Sequence, residues 1–197
     1  MKIPTYSVLC LILLAGCGSP AIYIDPNKGS GVVSVDKINV QDFAMAADGM
    51  LQSLYDSPAF SGIRAKDGGS PVLLVGRVRN DTSDNFDTDM LVKKLTISIT
   101  RSGKARVAKT IGLAGPEDQA AADARRANTL ATGTTAAPLI PDYTLSGKIL
   151  ETRAKAGSTR QSTYTFQLSM VEVKTGLSVW EEEKAITKQG EKNAVGF

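Results

Sequence analysis

Apolar positions repeat with a helical period in the first half of the chain and with a period of two in the second half. Asn39 is a candidate N-cap for a first helix, which is predicted to end near Tyr55. The inward residues of this helix lie three and four positions apart: Val40, Phe43, Ala44, Ala47, Met50, Leu51 and Leu54. Such spacing places them on one stripe, so the first predicted element is an amphipathic helix.

The next segments predict a strand, a helix and a second strand. Val72–Asn80 is apolar on both faces and lies between turn-forming residues, which is typical of a buried strand. Thr88 can cap a helix that ends at Ser102-Gly103. Its inward residues are Leu91, Val92, Leu95 and Ile99. A short strand near Lys104–Thr110 follows, so the unit is predicted to be a right-handed crossover between parallel strands.

A third, alanine-rich helix is predicted from Pro116, and its weak apolar stripe favours packing at an edge. The sequence then alternates between apolar and polar residues. This pattern predicts an antiparallel meander of three strands at Tyr143–Arg153, Ser162–Val173 and Leu177–Thr187. The predicted fold class is α/β: a sandwich of one mixed sheet of about five strands with amphipathic helices packed on it.

The beginning of the chain has the layout of a bacterial lipoprotein signal. Residues 1–16 combine Lys2, a short apolar run and two small residues before Cys17. The run is shorter than the roughly 20 apolar residues that a membrane span needs. We therefore expect cleavage before Cys17, lipidation of Cys17 and anchoring of the mature chain to a membrane. Gly18, rather than aspartate, after the cysteine is similar to lipoproteins sorted to the outer membrane.

Composition divides the remaining chain into three parts. Residues 17–38 are rich in Pro, Gly, Asn and Ser without a period, which predicts a flexible linker. Stretched fully, this linker reaches at most about 75 Å. A globular domain is expected over residues 39–189 and a polar tail over residues 190–197. One domain therefore follows the lipid anchor and stays near its membrane.

The chain lacks the residues of several kinds of chemistry. It has no histidine and two cysteines, of which Cys10 lies in the predicted signal and Cys17 is the predicted lipid site. Nucleophilic catalysis by Cys–His or Ser–His–Asp groups and zinc held by His or Cys are thereby excluded. We expect no catalytic residue, no cofactor and no metal ion. The net charge of +3 is too small to predict nucleic-acid binding.

Three short motifs match, in order, the signatures of serine β-lactamases and penicillin-binding transpeptidases. They are Ser34-Val35-Asp36-Lys37, Ser83-Asp84-Asn85 and Lys174-Thr175-Gly176. Such enzymes need the serine at the start of a buried helix and the Lys-Thr-Gly on a strand beside the cleft. Here the first motif lies in the predicted linker and the third in a predicted hairpin turn. Acylation of Ser34 by penicillin is therefore not expected.

Acidic clusters do not match known metal or hydrolytic sites. Four aspartates crowd residues 81–89, but the loop lacks the glycine and the glutamate that an EF-hand calcium site needs at its sixth and twelfth positions. A solvated turn and helix start is the better interpretation. Glu181–Glu183 resembles a carboxylate pair for hydrolysis but is more typical of an exposed strand end.

Aromatic and charged residues supply candidates for contact with a partner. Trp180, Tyr164 and Phe166 suit an interface, but a period of two favours core packing for Tyr164 and Phe166. Residues in exposed loops are better candidates, because function concentrates in loops on a rigid scaffold. The predicted partner-binding residues are Phe86, Arg153, Lys155, Arg160 and Gln161.

Five segments together resemble the LpoB family of outer-membrane lipoproteins. They are Val75–Thr82, Leu91–Leu95, Ser102–Arg106, Pro141–Ile149 and Tyr164–Lys184. The resemblance covers about Asn39–Gln189. It implies a non-catalytic protein on the periplasmic face of the outer membrane. It further implies docking onto the periplasmic regulatory domain of a bifunctional class A penicillin-binding protein, with stimulation of glycan polymerisation and peptide crosslinking.

One feature departs from that family. Enterobacterial members carry a long proline-rich tether, whereas the predicted linker here is short. A similar sandwich occurs in curli-pore lipoproteins and in the amino-terminal domain of TolB. An oligomeric structural or secretion-associated lipoprotein is therefore the alternative function. The activator is expected to be a monomer, and the alternative is expected to self-associate.

Overall fold

A computed structural model describes residues 23, 25, 31–62, 69–108, 119–134, 140–191 and 195–196 of the chain. The predicted signal peptide, Cys17 and most of the predicted linker lie outside these residues. Across the described ranges, no helix is both long and apolar enough to span a bilayer. The predicted cleavage and lipidation therefore remain expectations from the sequence.

Helix α1 (Val40–Asp56) begins with a capping box at the predicted Asn39. The Asn39 side chain accepts a hydrogen bond from the Asp42 backbone N–H at 3.1 Å, and the Asp42 carboxylate accepts one from the Asn39 N–H at 2.8 Å. The helix ends at Ser57, and Pro58 then begins the short helix α2 (Pro58–Gly62). The first predicted helix is thus confirmed to within one residue.

Replacing Asn39 by alanine is expected to lower the free energy of unfolding by about 1 kcal/mol, because the Asp42 N–H would lose its acceptor. The amide nitrogen of Asn39, Nδ2, contributes little to stability, since it is buried without a hydrogen-bond partner among the described residues. Asn39→Ser keeps an acceptor and should cost less than half as much. Urea unfolding of both variants tests this, and equal losses would contradict the capping role.

Helix α3 (Asp89–Ser102) connects strands β2 (Val72–Asp81) and β3 (Arg106–Val107), which pair in parallel. The predicted crossover is therefore confirmed. Gly103 ends the helix at a φ of 65°, a left-handed conformation that suits glycine. The Thr88 side chain makes no capping hydrogen bond. Asp87 instead accepts one from the Asp89 N–H at 2.8 Å.

The main sheet has the strand order β3-β2-β4-β5-β6, in which β4 (Tyr143–Ala156), β5 (Thr159–Glu172) and β6 (Ser178–Glu191) form an antiparallel meander. Strand β4 pairs with β2 in parallel, with a bulge between Val75 and Val78. The prediction of one mixed five-stranded sheet is confirmed. Bulges bend a strand, and this one lies at the centre of the sheet.

Helices α1 and α3 pack on one face of this sheet. Phe43 of α1 meets Phe166 of β5 edge to face, with ring centroids 6.1 Å apart. The fully buried hydrophobic side chains of this core come from both layers: Met50, Leu54, Leu73, Leu91, Leu95, Ile99, Leu145, Ile149, Tyr164, Phe166 and Met170. Helix α4 (Gln119–Thr132) has no buried residue, unlike the edge packing predicted for it.

Strands β4 and β5 run further than the sequence predicts. Their pairing continues to Ala156 and Thr159, so the connection between the two predicted strands is a tight turn with Gly157 at a φ of 60°. Strand β6 likewise extends to Glu191. Both faces of the strands are largely polar in these extensions, so the alternation that indicates a strand is lost there.

The predicted linker and the predicted tail meet in a second, two-stranded sheet. Strand β1 (Val33–Ser34) lies in the predicted linker of residues 17–38 and pairs antiparallel with β7 (Val195–Gly196) of the predicted tail of residues 190–197. Val35 beside this sheet is buried. Residues 31–38, hereafter the strap, therefore belong to the folded domain. Two-residue strands are too short to produce a period, so the sequence pattern does not indicate β1 and β7.

Candidate functional site

A cavity of about 350 Å³ opens where the strap crosses the β4–β5 hairpin. Its lining residues are Asp36, Arg153, Ala154, Lys155, Arg160, Gln161 and Ser162. Four of the five predicted partner-binding residues are among them, namely Arg153, Lys155, Arg160 and Gln161. We call this cavity the basic hollow, because three of its side chains are cationic and only one is acidic.

The register of the hairpin brings the three cations together. Lys155 lies directly opposite Arg160, and Arg153 lies opposite Ser162. Because side chains alternate along a strand, Arg153 and Lys155 point to the same face of the sheet as the buried Ile149. The strands extend beyond the helices at this end of the sheet. The face that is apolar beneath the helices thus continues as a basic surface.

The two arginines differ in how they are held. The Arg153 guanidinium bonds the Glu151 carboxylate and lies 3.4 Å from an Asp84 oxygen. Arg160 has one long ion pair, 3.4 Å from Nη1 to the Asp36 Oδ2. Lys155 is exposed and forms no ion pair within the described ranges. Arg153 is therefore fixed by several partners, whereas Arg160 and Lys155 can readily take new ones.

Glu151 is the anchor that orients Arg153. Burial alone would raise the pKa of Glu151, but hydrogen bonds from Ser83 and Arg153 outweigh it and hold this pKa below its ordinary value. Ser83 donates through both its backbone N–H, at 3.1 Å, and its hydroxyl, at 2.7 Å. Glu151 thus stays ionised and keeps the guanidinium in place.

A buried ion pair lies beneath the basic hollow. Lys188 of β6 meets Asp42 of α1 at 2.7 Å, and both side chains are less than a tenth exposed. The Lys188 ammonium also donates to the carbonyl oxygen of Lys37 in the strap and lies 5.0 Å from the centre of the Tyr164 ring. These contacts attach the strap, the first helix and the sheet to one another at the site.

Tyr164 extends this network towards the surface. It is fully buried, and its hydroxyl donates to Asp84 at 3.1 Å. Burial first, and then this hydrogen bond and the negative charge of Asp84, raise the pKa of the Tyr164 phenol. The phenol therefore remains protonated as a donor. The other carboxylate oxygen of Asp84, Oδ1, lies 3.4 Å from the Arg153 guanidinium.

Phe86, the fifth predicted partner-binding residue, does not line the basic hollow. It is half-buried at the edge of the core, and its ring meets Phe43 edge to face with centroids 5.6 Å apart. The loop position had suggested exposure, but the apolar ring folds back onto α1. We therefore assign Phe86 to core packing, the role that the spacing predicted for Tyr164 and Phe166.

Three of the four aspartates of residues 81–89 have separate partners. Asp81 pairs with Arg79 at 2.6 Å, Asp84 accepts from Tyr164, and Asp87 accepts from the Asp89 N–H. They do not converge on one point. Over the described ranges, no three His, Cys, Asp or Glu side chains form a cluster suited to a metal ion.

The third transpeptidase-like motif lies far from the first. Ser34 pairs with β7 beside the basic hollow, whereas Lys174–Gly176 forms the β5–β6 turn at the other end of the sheet. Strand β5 has 14 residues, so these ends are separated by roughly 40 Å. A serine and a Lys-Thr-Gly at that distance cannot act on one substrate. The structure agrees with the sequence-based rejection of acyl-enzyme chemistry.

Sequence reasoning missed Asp36, Ser162 and Lys188. Lys188 follows Ile186 by two positions, so the strand period could have indicated that it points inward had β6 been extended beyond Thr187. No sequence pattern indicates Asp36 as a site residue, because its contacts with β4 and β5 join residues more than a hundred positions apart.

The sequence from residue 42 to residue 186 matches the family model described as "Peptidoglycan-synthase activator LpoB". The match covers most of the chain and includes strands β2 to β5 of the main sheet and the first part of β6. The chain belongs to the LpoB family. Its membership agrees with the resemblance seen in the sequence. The LpoB family is one of regulatory activators, and the general role of the chain is that of a peptidoglycan-synthase activator.

Solved structures of LpoB domains are similar to this chain at low sequence identity. The LpoB C-terminal domains from Salmonella enterica and Escherichia coli are each 16% identical, with a TM-score of 0.44, and each match covers 74% of this chain and 98% of the other. Lipoprotein GNA1162 from Neisseria meningitidis is 14% identical, with a TM-score of 0.39, covering 61% of this chain and 83% of the other. No curated protein matches the sequence.

Proposed function

We propose that this LpoB-family protein is a lipid-anchored protein of the outer membrane that binds and activates a bifunctional class A penicillin-binding protein. The observation that carries the proposal is the family match over residues 42–186. Lipidation of Cys17 would hold the domain at the periplasmic face of that membrane, and its ligand there would be the periplasmic regulatory domain of the synthase.

The basic hollow is the proposed docking surface on this chain. Arg153, Lys155 and Arg160 present three cations on one rigid hairpin, and Arg153 is already oriented by Glu151 and Asp84. Such a surface favours a partner that presents acidic groups, because complementary charge speeds association and selects the register of docking. Gln161, which is half-buried, adds a hydrogen-bonding group beside them.

Activation would be an equilibrium effect. A protein that supplies no catalytic group can stimulate an enzyme only by binding its active conformation more tightly than its resting one. A shift by a factor of ten requires about 1.4 kcal/mol of difference between the two affinities. A few charge-assisted hydrogen bonds made in one state and not in the other are sufficient for this.

The test adds the chain from residue 17 onward, with Cys17→Ser to prevent lipidation, to each class A synthase of the same cell. Polymerised glycan and crosslinks are measured. Stimulation of one synthase is expected, and no stimulation of any would contradict the activator function. Analytical ultracentrifugation of the same protein should give a monomer, whereas a defined oligomer would favour the structural or secretion-associated alternative.

Reversing both arginine charges of the basic hollow, with Arg153→Glu and Arg160→Glu, is expected to weaken stimulation at least about tenfold, because like charges would then face the acidic partner. Arg125→Glu with Arg126→Glu is the matched control. It changes the net charge equally on the exposed helix α4 and should leave stimulation unchanged. Equal losses in the two variants would place docking elsewhere.

A further inference from the structure

Among the residues that the structure describes, Asp36 of the strap is the only acidic one that lines the basic hollow. Its Oδ2 lies 3.4 Å from Nη1 of Arg160, and its backbone carbonyl accepts a hydrogen bond from Arg153 at 3.4 Å. The side chain of Asp36 is 45% exposed. One carboxylate of the chain itself therefore occupies the cationic surface proposed for the partner.

The strap holds the backbone of Asp36 firmly on both sides. Val33 and Ser34 pair with β7 before it, and Val35 is buried. After it, the Lys37 carbonyl accepts from the buried Lys188, and Asn39 caps α1. The carboxylate itself has only one long ion pair. Rotation of the Asp36 side chain can therefore vacate the hollow without displacing the strap.

We infer that the basic hollow is a carboxylate-binding site, and that Asp36 is a built-in competitor which the acidic segment of a partner must replace. An intramolecular carboxylate competes at a high effective concentration because it cannot diffuse away. Its loss would leave Arg160, beside the exposed Lys155, available to an external carboxylate. The identity of the partner rests on the proposed function, whereas the preference of the hollow for a carboxylate does not.

The first test uses hexaglutamate as the probe and the full-length chain extracted in dodecyl maltoside. Binding is followed by the NMR signals of the arginine side chains. Asp36→Asn should bind hexaglutamate about two- to fivefold more tightly than the unaltered chain, the range expected for removing one partly exposed ion pair. Unchanged or weaker binding, or no binding by either protein, would overturn the inference.

Two variants separate competition from a general change of charge. Asp56→Asn removes the same charge at the far end of α1, about 25 Å from the strap, and should not change the affinity for hexaglutamate. Arg160→Gln removes the cation that holds Asp36. With Arg160→Gln present, Asp36→Asn should strengthen binding no more than Asp56→Asn does. An equal gain in both backgrounds would show that Asp36 does not compete for Arg160.

The synthase provides an independent second arm. If the proposed function holds, Asp36→Asn should bind the stimulated synthase more tightly by a similar factor, measured with both proteins in detergent. If neither protein binds any synthase but hexaglutamate follows the expected pattern, the activator proposal fails and the carboxylate site stands. If the synthase binds both proteins equally, Asp36 does not regulate docking and the inference fails.

Discussion

Replacing Lys188 by methionine is expected to destabilise the protein by about 3–5 kcal/mol, the largest effect of any single charge removal at this site. Methionine fills a similar volume, so little cavity forms. The loss comes from Asp42, whose carboxylate would stay buried without the ammonium that lies 2.7 Å from it. Urea unfolding at neutral pH measures the change as a lower midpoint at an unaltered slope.

Two further variants isolate the ion pair. Lys184→Met makes the same change at an exposed position of the same strand and should shift stability by no more than about 0.5 kcal/mol. Adding Asp42→Asn to Lys188→Met should recover about 1 kcal/mol or more, because asparagine is neutral and still offers an oxygen to the Asn39 N–H. A double variant no more stable than Lys188→Met would contradict this account.

Gly147→Ala is expected to cost about 3 kcal/mol or more. A Cβ at this position would lie 2.0 Å from the Gln167 carbonyl oxygen and 2.7 Å from Cδ2 of Leu168. The first of these atoms belongs to the backbone of the neighbouring strand β5, so the strands would have to separate. Loss of pairing at the centre of the sheet should be visible in thermal unfolding and in amide hydrogen exchange.

Gly76→Ala is the matched control for that substitution. It lies in strand β2 of the same sheet, but the nearest atoms to its added Cβ are 3.5 and 3.7 Å away, which is ordinary contact. Alanine loses less conformational entropy than glycine on folding, so stability should stay the same or rise by up to about 1 kcal/mol. Similar losses at the two positions would mean that close approach does not explain the glycine at 147.

The helices and the long strands of the main sheet could be predicted because each is encoded locally. Asn39 and Gly103 mark helix ends by side-chain capping and by a left-handed conformation, and both act within a few residues. The alternation through Tyr164 and Phe166 reflects one buried face of a strand. These signals depend on neighbours in sequence, so a single chain is enough to detect them.

The completed site could not be predicted in the same way. Arg153, Lys155, Arg160 and Gln161 were chosen as exposed loop residues, because function concentrates in loops on a rigid scaffold. Their common cavity depends on the strap, whose Asp36 meets Arg160 across 124 positions of sequence. Phe86 was misjudged because the direction of a loop side chain depends on the core beneath it, here Phe43.

The pairing of β1 with β7 also shortens the predicted tether between the lipid and the folded domain. If Cys17 carries the lipid, the tether between it and the strap comprises residues 17–31, and its full extension would be about 50 Å rather than the 75 Å of the whole predicted linker. The tether joins the domain beside the basic hollow. A fully extended tether would therefore draw that end of the domain towards the bilayer. The proposed partner synthase would then have to reach the domain close to the outer membrane.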